Sequence, residues 1–206
     1  MHGKAGHGAM PESGRDAFRA GTAILNAIYA EADALKAVKS GVAGIDHPTM
    51  IVGLIDGGIN TNVVPDNVTL RIDRRIIPEE DAADAEATLS REIRESAAKW
   101  PAIKCTVRRI MLAVPFVPIP GQEKLVAAIS QHATRIMGEE VTAHGVPIYT
   151  DARHYTAAGV PTVLYGAGPR TLAEANGHRA DERLVLADLH RATEIVALAL
   201  ASLLTR

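Results

Sequence analysis

The sequence predicts an α+β domain of the ferredoxin-like type, followed by a segment of α/β character. Three observations support this prediction: two amphipathic helical stretches, the alternating strands beside them, and a dense proline cluster in the middle of the chain. Helix, strand, strand, helix and strand follow one another before that cluster. This is the order of a ferredoxin-like sandwich that lacks most of its first strand.

The elements of the first half follow from periodicity and from turn residues. Apolar residues recur at three- and four-residue spacing up to Leu35, and the helix that they predict stops at Ser40. Residues 68–73 alternate between apolar and polar, as a half-buried strand does. Pro78 suits the first turn of a helix, where the acidic residues that follow it complement the helix dipole. The predicted elements are a helix over 14–39, strands over 49–56 and 68–73, a helix from 78 to 99 and a strand over 103–107.

A domain boundary is predicted just before the proline cluster that begins at Pro115. We therefore assign residues 1–112 to one domain and residues 113–206 to another. The second part contains helical patterns over 122–137 and 184–204 and an apolar strand over 161–165. So few strands cannot close a sheet, so this part resembles half of an α/β domain.

Composition excludes several classes of protein. Hydrophobic residues make up 47% of the 206 residues and the formal net charge is −2, which gives no basic field for nucleic acid. No apolar run approaches the roughly 20 residues that a membrane span needs. The single Cys105 excludes an internal disulfide and fits a reducing compartment. We expect a cytoplasmic protein without nucleic-acid or membrane partners.

Two histidines are candidates for chemistry. His178 follows a small-residue loop and precedes a helix, a common position for active-site residues in α/β folds. On local grounds alone, a helix-capping segment with Asp181 and Glu182 in the first turn is the simpler interpretation. His7 lies between two glycines, ahead of Pro11, where a loop could present its imidazole to a developing oxyanion. Composition alone favours a disordered tail for residues 2–7.

Other candidates are weaker when each is taken alone. Arg75 ends a predicted strand and could hold a carboxylate with its planar fork, although a surface arginine is the simpler interpretation. Its neighbour Arg74 must face the opposite side of that strand. Gly166 and Gly168 would allow a ligand close to the backbone, yet a G-x-G pattern is common. The pairs 79–80 and 139–140 are adjacent glutamates, which we interpret as structural.

Taken in order, these segments resemble one family: the zinc-dependent aminoacylases, acetylornithine deacetylases, succinyl-diaminopimelate desuccinylases and carboxypeptidase G. The family's lid, its dimerisation domain, opens on a motif similar to GHGAMPESGRDA at 6–17, and its next turn resembles GGINTNVVP at 57–65. Residues 73–75 with Pro78 resemble the end of the following lid strand. The remaining matches lie at 150–153, 159–163, 166–168 and 178–182.

The resemblance implies a fold and a reaction. Residues 1–112 would be the lid of a homodimer, and residues 113–206 the last part of an α/β zinc-hydrolase domain. Two zinc ions would activate a bridging water against the amide of an N-acyl amino acid or a small peptide. His178 would bind one zinc, and His7 would reach the oxyanion in the partner subunit. Substrate would be contacted by Asn62, Arg75, Gly166 and Gly168.

The sequence departs from the family in its metal site. The family's H-x-D ligands, its bridging aspartate and its Glu-Glu pair belong to an N-terminal half that the matched segments do not include, and one histidine cannot hold two zinc ions. We therefore expect this chain to be an inactive portion of the enzyme when it is isolated. The main alternative is a dimerisation or interaction module that has lost catalysis. A small-molecule-sensing ferredoxin-like domain is a third possibility, but it leaves His178 unexplained.

Overall fold

A computed structural model describes residues 1–113 and 115–205 of the chain, which folds into two compact units. The first comprises residues 1–115 together with the short segment 145–148. The second comprises residues 116–144 and 149–206. The strands are β1 (Gly6–His7), β2 (Thr49–Gly57), β3 (Val63–Val64) and β4 (Val68–Arg75), and the helices are α1 (Ala17–Ala34), α2 (Ala82–Ala98), α3 (Gln122–Met137), α4 (Ala152–Ala157), α5 (Leu172–Ala175) and α6 (Leu186–Leu204).

The first unit is built on two antiparallel strand pairs. β2 pairs with β4 from Thr49 opposite Arg75 to Gly57 opposite Val68. The register shifts at Gly53, which is a bulge in β2. β1 pairs with β3, so that the short strand containing His7 lies beside Val63 and Val64.

Helices α1 and α2 cover one face of the β2–β4 pair and form its core. Ile24 and Ile28 of α1 are each 2% exposed, and they pack in one cluster with Met50 of β2 and Ile93 of α2. Burial of such a side chain stabilises the fold by about 1.5–3 kcal/mol. The α+β class predicted for this part of the chain is confirmed.

The N-terminal residues are ordered, and the prediction of a disordered tail is wrong. The Met1 amino group donates to Val68 O at 2.7 Å, and Val68 N–H donates back to Met1 O at 3.1 Å. His2 exchanges two backbone hydrogen bonds, each 2.8 Å long, with Lys104. Composition could not reveal this order, because Asn67 and Lys104, the residues that His2 pairs with, lie far along the chain.

The strand predicted over residues 103–107 is also wrong. Only Lys104 forms a bridge, to His2, and residues 105–109 have no strand pairing. Cys105 and Val107 nevertheless pack against the core as their alternation predicts. The side-chain pattern is therefore that of a strand, although Lys104 alone is paired in this segment, with His2.

Both long helices of the first unit begin at an aspartate. Asp16 accepts from Phe18 N–H at 2.9 Å, and Asp81 accepts from the N–H groups of Ala83 and Asp84. Such caps satisfy amides that lack a partner in the helix. The start predicted at Pro78 is wrong, since the helix begins after Asp81.

The second unit packs α3 against α6 through small and branched apolar side chains. Its core is formed by Ala128, Ala133, Ala192, Ile195 and Ala199. The strand predicted over 161–165 is wrong: these residues are not paired with any strand in the described part of the chain. Helix α6 begins at Leu186, so Asp181 and Glu182 lie in the preceding loop, outside the predicted first turn. No helix among the described residues is long and apolar enough to cross a membrane.

Candidate functional site

The β1–β3 pair brings two of the predicted site residues together. His7 pairs with Val63, and the residue before Val63 is Asn62. Gly8 N–H donates to the backbone oxygen of Asn62 at 2.8 Å, and a Cβ at Gly8 would lie only 2.8 Å from that same oxygen. Any larger residue at position 8 would separate the two segments. The glycine after His7 thus keeps His7 beside Asn62.

The His7 ring is held by its own backbone. Ala9 N–H donates to His7 Nδ1 at 3.1 Å, so Nδ1 is an acceptor and carries no proton. The proton of the neutral ring is then on Nε2, which is left to donate outward. The side chain is exposed, in a loop closed by the hydrogen bond from Met10 N–H to His7 O. His7 is therefore prepared as a hydrogen-bond donor.

Arg75 lies away from the loop that carries His7 and Asn62. It ends β4, whereas that loop precedes the start of β4 at Val68, about 23 Å away along an extended strand. Arg75 Nη2 lies 2.8 Å from Asp73 Oδ2 on the exposed face of the strand. The guanidinium of Arg75 is thus already paired with the carboxylate of Asp73.

Arg74 faces the opposite way, as strand geometry predicts, and its side chain is 13% exposed against 47% for Arg75. It forms an ion pair with Glu80, whose other oxygen accepts from Ile77 N–H at 3.0 Å. Glu79 accepts from Gly41 N–H at 2.8 Å and from the Ser40 hydroxyl. Both glutamates therefore bind neighbouring groups of the fold.

The hydrogen bond from Gly41 lowers the pKa of Glu79 below its usual value. The contact from Ser40 acts in the same direction. Glu79 thus joins the loop after α1 to the turn before α2 most effectively when its carboxylate is ionised.

His178 belongs to the second unit and lies in the loop between α5 and α6. Its φ of 66° is in the left-handed region, which is uncommon for a residue with a side chain. The His178 N–H donates to Glu182 Oε2 at 3.0 Å, and Asn176 Nδ2 donates to Asp181 Oδ2 at 3.0 Å. The acidic residues of this segment thus hold the loop backbone, and the imidazole of His178 is exposed.

The loop that contains Gly166 and Gly168, in the second unit, has open space beside Gly166. Nothing lies within 4 Å of a Cβ placed on Gly166, and only Leu184 approaches one placed on Gly168. Gly168 has a φ of 140°, a conformation that side-chain-bearing residues rarely adopt. The open space at Gly166 permits the close approach of a ligand that the sequence predicted there.

The residues of the chain do not themselves fit a zinc centre. A structural or catalytic zinc takes at least three protein ligands, chosen from His, Cys and carboxylates. No cluster of three or more such side chains occurs among residues 1–113 and 115–205. His178 is one candidate ligand, and its backbone partner Glu182 is already used within the loop.

Arg153, which has no role in the sequence-based predictions, is buried in the second unit. Its side chain lies over the ring of Tyr149, with the guanidinium carbon 4.0 Å from the ring centre, and it donates to the Tyr149 hydroxyl. Arg153 is only 8% exposed. The spacing of four residues between an aromatic and an arginine was the available signal for this stacked pair.

A groove of about 230 Å³ between α1 and α2 is lined by Glu31, Glu92 and the Arg74–Glu80 pair, among others. Partial burial, and then the charge of Glu31, raise the pKa of Glu92. None of the predicted site residues lines this groove. We assign no catalytic role to this groove.

The first unit matches a known family. Residues 1–101 match the family described as the peptidase dimerisation domain. No curated protein sequence matches the chain significantly. The relatives of the remaining residues are therefore found by structure.

Solved structures resemble the chain over nearly all of its length. AtUAH in complex with glyoxylate aligns with a TM-score of 0.72 at 19% identity, over 98% of this chain and 45% of that one. Aminopeptidase PepT from Bacillus cereus aligns at 0.56 and 20% identity, over 96% and 48%. A metallo-carboxypeptidase from Sulfolobus solfataricus aligns at 0.51 and 17% identity, over 84% and 41%. The chain thus spans about half the length of the structures it matches.

These comparisons show what each part of the chain resembles. Residues 1–101, just under half of the chain, are similar to the peptidase dimerisation domain family. The structural neighbours share the fold of the chain.

Proposed function

We propose that the chain is part of a zinc-dependent amide hydrolase that cleaves an N-acyl amino acid or a small peptide. Its residues 1–112 are the lid, and residues 113–206 belong to the catalytic domain. The observation that supports this best is the His7 ring, whose Nε2–H is free to donate from an exposed loop of a peptidase dimerisation domain. A donor of this kind stabilises the oxyanion that forms when an amide carbonyl is attacked.

In this proposal, residues of the chain bind and orient the substrate. His7 donates from Nε2 to the oxyanion in the neighbouring subunit of a homodimer, and Asn62 lies beside it at the substrate. Arg75 binds a substrate carboxylate, which must displace Asp73 from the guanidinium. Gly166 and Gly168 let the substrate approach the backbone.

His178 is proposed as one ligand of a zinc ion. The remaining ligands must come from residues other than those described, since these include no cluster able to hold a metal. A bound zinc would polarise the scissile carbonyl and activate water. A cytoplasmic location is part of the proposal, because the one cysteine of the chain, Cys105, is free.

The test compares variants in an assembly in which a second polypeptide supplies the missing ligands. His7→Ala should lower kcat by about 100- to 1000-fold, the usual cost of losing one oxyanion donor, and leave the zinc content unchanged. His178→Ala should lower zinc occupancy. His144→Ala, another exposed histidine, is the matched control and should change neither quantity. Normal turnover by His7→Ala would overturn the proposed role of His7.

A dimerisation module without catalysis is the second candidate, because the family that residues 1–101 match is a dimerisation domain. Metal content distinguishes the two. A module stays free of zinc even when the missing ligands are supplied, whereas the hydrolase retains zinc through dialysis against a mild chelator.

A further inference from the structure

The first turn of helix α1 contacts both ends of the β2–β4 connection, which comprises residues 58–67. At one end the ring of Phe18 lies against Gly58, since a Cβ placed on Gly58 would be 3.1 Å from Phe18 Cζ and 3.7 Å from Phe18 Cε2. Near the other end, Ala17 N–H donates to Pro65 O at 2.8 Å. Two consecutive residues of one helix therefore hold this connection.

The β2–β4 connection leaves β2 through two glycines, and the Phe18 ring packs on both. Gly58 has a φ of 71°, in the left-handed region, and its N–H donates to Asn67 O at 3.3 Å. A Cβ on Gly57 would lie 3.1 Å from Phe18 Cε1. Glycines have no side chain that could fix the direction of the backbone, so the packing of the Phe18 ring restrains it here.

The direction of the β2–β4 connection also determines where His7 lies. Val63 N–H donates to Asn60 O at 3.2 Å, which closes a turn around Asn62. Val63 also pairs with His7 in the β1–β3 pair. Gly8 N–H donates to Asn62 O at 2.8 Å. A change in the direction of the connection therefore moves Asn62 and His7 together.

Phe18 is 41% exposed and lies outside the core cluster that contains Ile24 and Ile28. Truncation of its side chain therefore removes the contact with Gly58 without opening a cavity in that core. Tyr29 is a matched aromatic residue, since it is 46% exposed and lies about three helical turns further along the same face of α1.

We propose that Phe18 is a positioning residue of the active site, which through Gly58 sets the direction of the β2–β4 connection and so the placement of Asn62 and His7. This inference rests on the proposed function, in which His7 and Asn62 act on the substrate. Phe18 acts through the connection and not on the substrate itself. A misplacement of about 1 Å in a catalytic group can lower turnover about 100-fold, so a restraint at the base of the connection has a large effect.

The first measurement is hydrogen exchange in the full chain, and it involves no catalysis. In Phe18→Ala, the amides of Gly8 and Val63 should exchange at least about tenfold faster than in the unmodified chain, because their acceptors lie in the released connection. Phe18→Tyr keeps the ring and should retain slow exchange. Tyr29→Ala should leave these amides unchanged. Equal exchange in Phe18→Ala and Tyr29→Ala would overturn the proposal.

The second measurement is turnover in the assembly that supplies the missing zinc ligands. Phe18→Ala should lower kcat per bound zinc by about tenfold or more, and Phe18→Tyr should restore it, whereas a merely structural role would lower only the amount of folded protein. If His7→Ala loses turnover and Phe18→Ala keeps it, the positioning role is wrong and the proposed function stands. If His7→Ala keeps turnover, the proposed function fails, and the exchange measurement alone decides whether Phe18 positions the connection.

Discussion

At the scale of single residues, the backbone N–H of Ala9 determines which nitrogen of His7 carries the proton. Its bond to Nδ1 makes the ring a donor through Nε2, which is the role proposed for it in catalysis. The same contact fixes the ring orientation before any substrate arrives. An oxyanion donor is effective when it is already in place, because no reorganisation is then needed during the reaction.

This tautomer can be measured in the chain as it stands. Long-range proton–nitrogen NMR should show His7 Nδ1 as an unprotonated acceptor and Nε2 as the protonated nitrogen at pH values where the ring is neutral. Ala9→Pro, which removes the donor, should mix the two tautomers. A protonated Nδ1 in the unmodified chain would contradict the proposed geometry.

A second residue-scale prediction concerns Glu79. Its pKa is lowered in the folded state, so its contribution to stability is present above the unfolded pKa of about 4.3 and is lost as pH falls through the folded pKa. Glu79→Gln should therefore lower Tm at pH 7, and the difference from the unmodified chain should shrink as pH falls toward 3. Glu12→Gln, at an exposed glutamate, is the control. A difference that is constant with pH would show that the charge of Glu79 is not involved.

The sequence predicted the orientation of some side chains, but it did not predict the tertiary partners of others. That Arg74 and Arg75 face opposite sides follows from strand geometry alone. The ion pair between Arg75 and Asp73 was not predicted, although the two residues share a face of the strand. The order of His2 was missed for a different reason, since its partner Lys104 is too distant for any local pattern to reveal.

At the scale of elements, helix existence was predictable and helix starts were not. Pro78 and the two glutamates after it have the composition of a first turn. The glutamate side chains, however, bind elsewhere: Glu80 pairs with Arg74, and Glu79 accepts from Gly41 N–H. Because these glutamates bind tertiary partners, helix α2 begins later than predicted, after its cap at Asp81. The strand over 103–107 failed in a related way, because pairing depends on a neighbour and side-chain alternation does not supply one.

The cap of α2 gives an element-scale prediction. Asp81→Ala removes the acceptor for the Ala83 and Asp84 amides and should lower the free energy of unfolding by about 1 kcal/mol. Asp81→Asn keeps an acceptor and should lose much less. Urea denaturation measures both changes. An equal loss in the two variants would mean that the side chain acts through its charge and not as a cap.

At the scale of the whole molecule, the exposed edge of β2 leads us to expect self-association of the lid. Ile51 and Ile55 of this strand are 56% and 55% exposed, and within the described residues β2 pairs only with β4. An exposed apolar edge tends to pair with another chain, and the matched family is a dimerisation domain.

Sedimentation at tens of micromolar should show a dimer. Ile55→Lys places a charge at the edge and should weaken association by about tenfold or more. Ile59→Lys, at a residue 75% exposed outside the strand, is the matched control and should leave association unchanged. A monomer at every concentration would argue against the lid dimer.

The central claim is that His7 acts on the active site of its partner subunit, and mixing two inactive variants tests it most directly. In a zinc-containing assembly, His7→Ala and His178→Ala are each expected to be inactive. Their heterodimer has one site that combines an intact His178 with an intact His7 from the other subunit. Free exchange of subunits should then restore about a quarter of the unmodified activity, since half of the dimers are mixed and each has one functional site. A mixture that exchanges subunits and stays inactive would contradict the shared site.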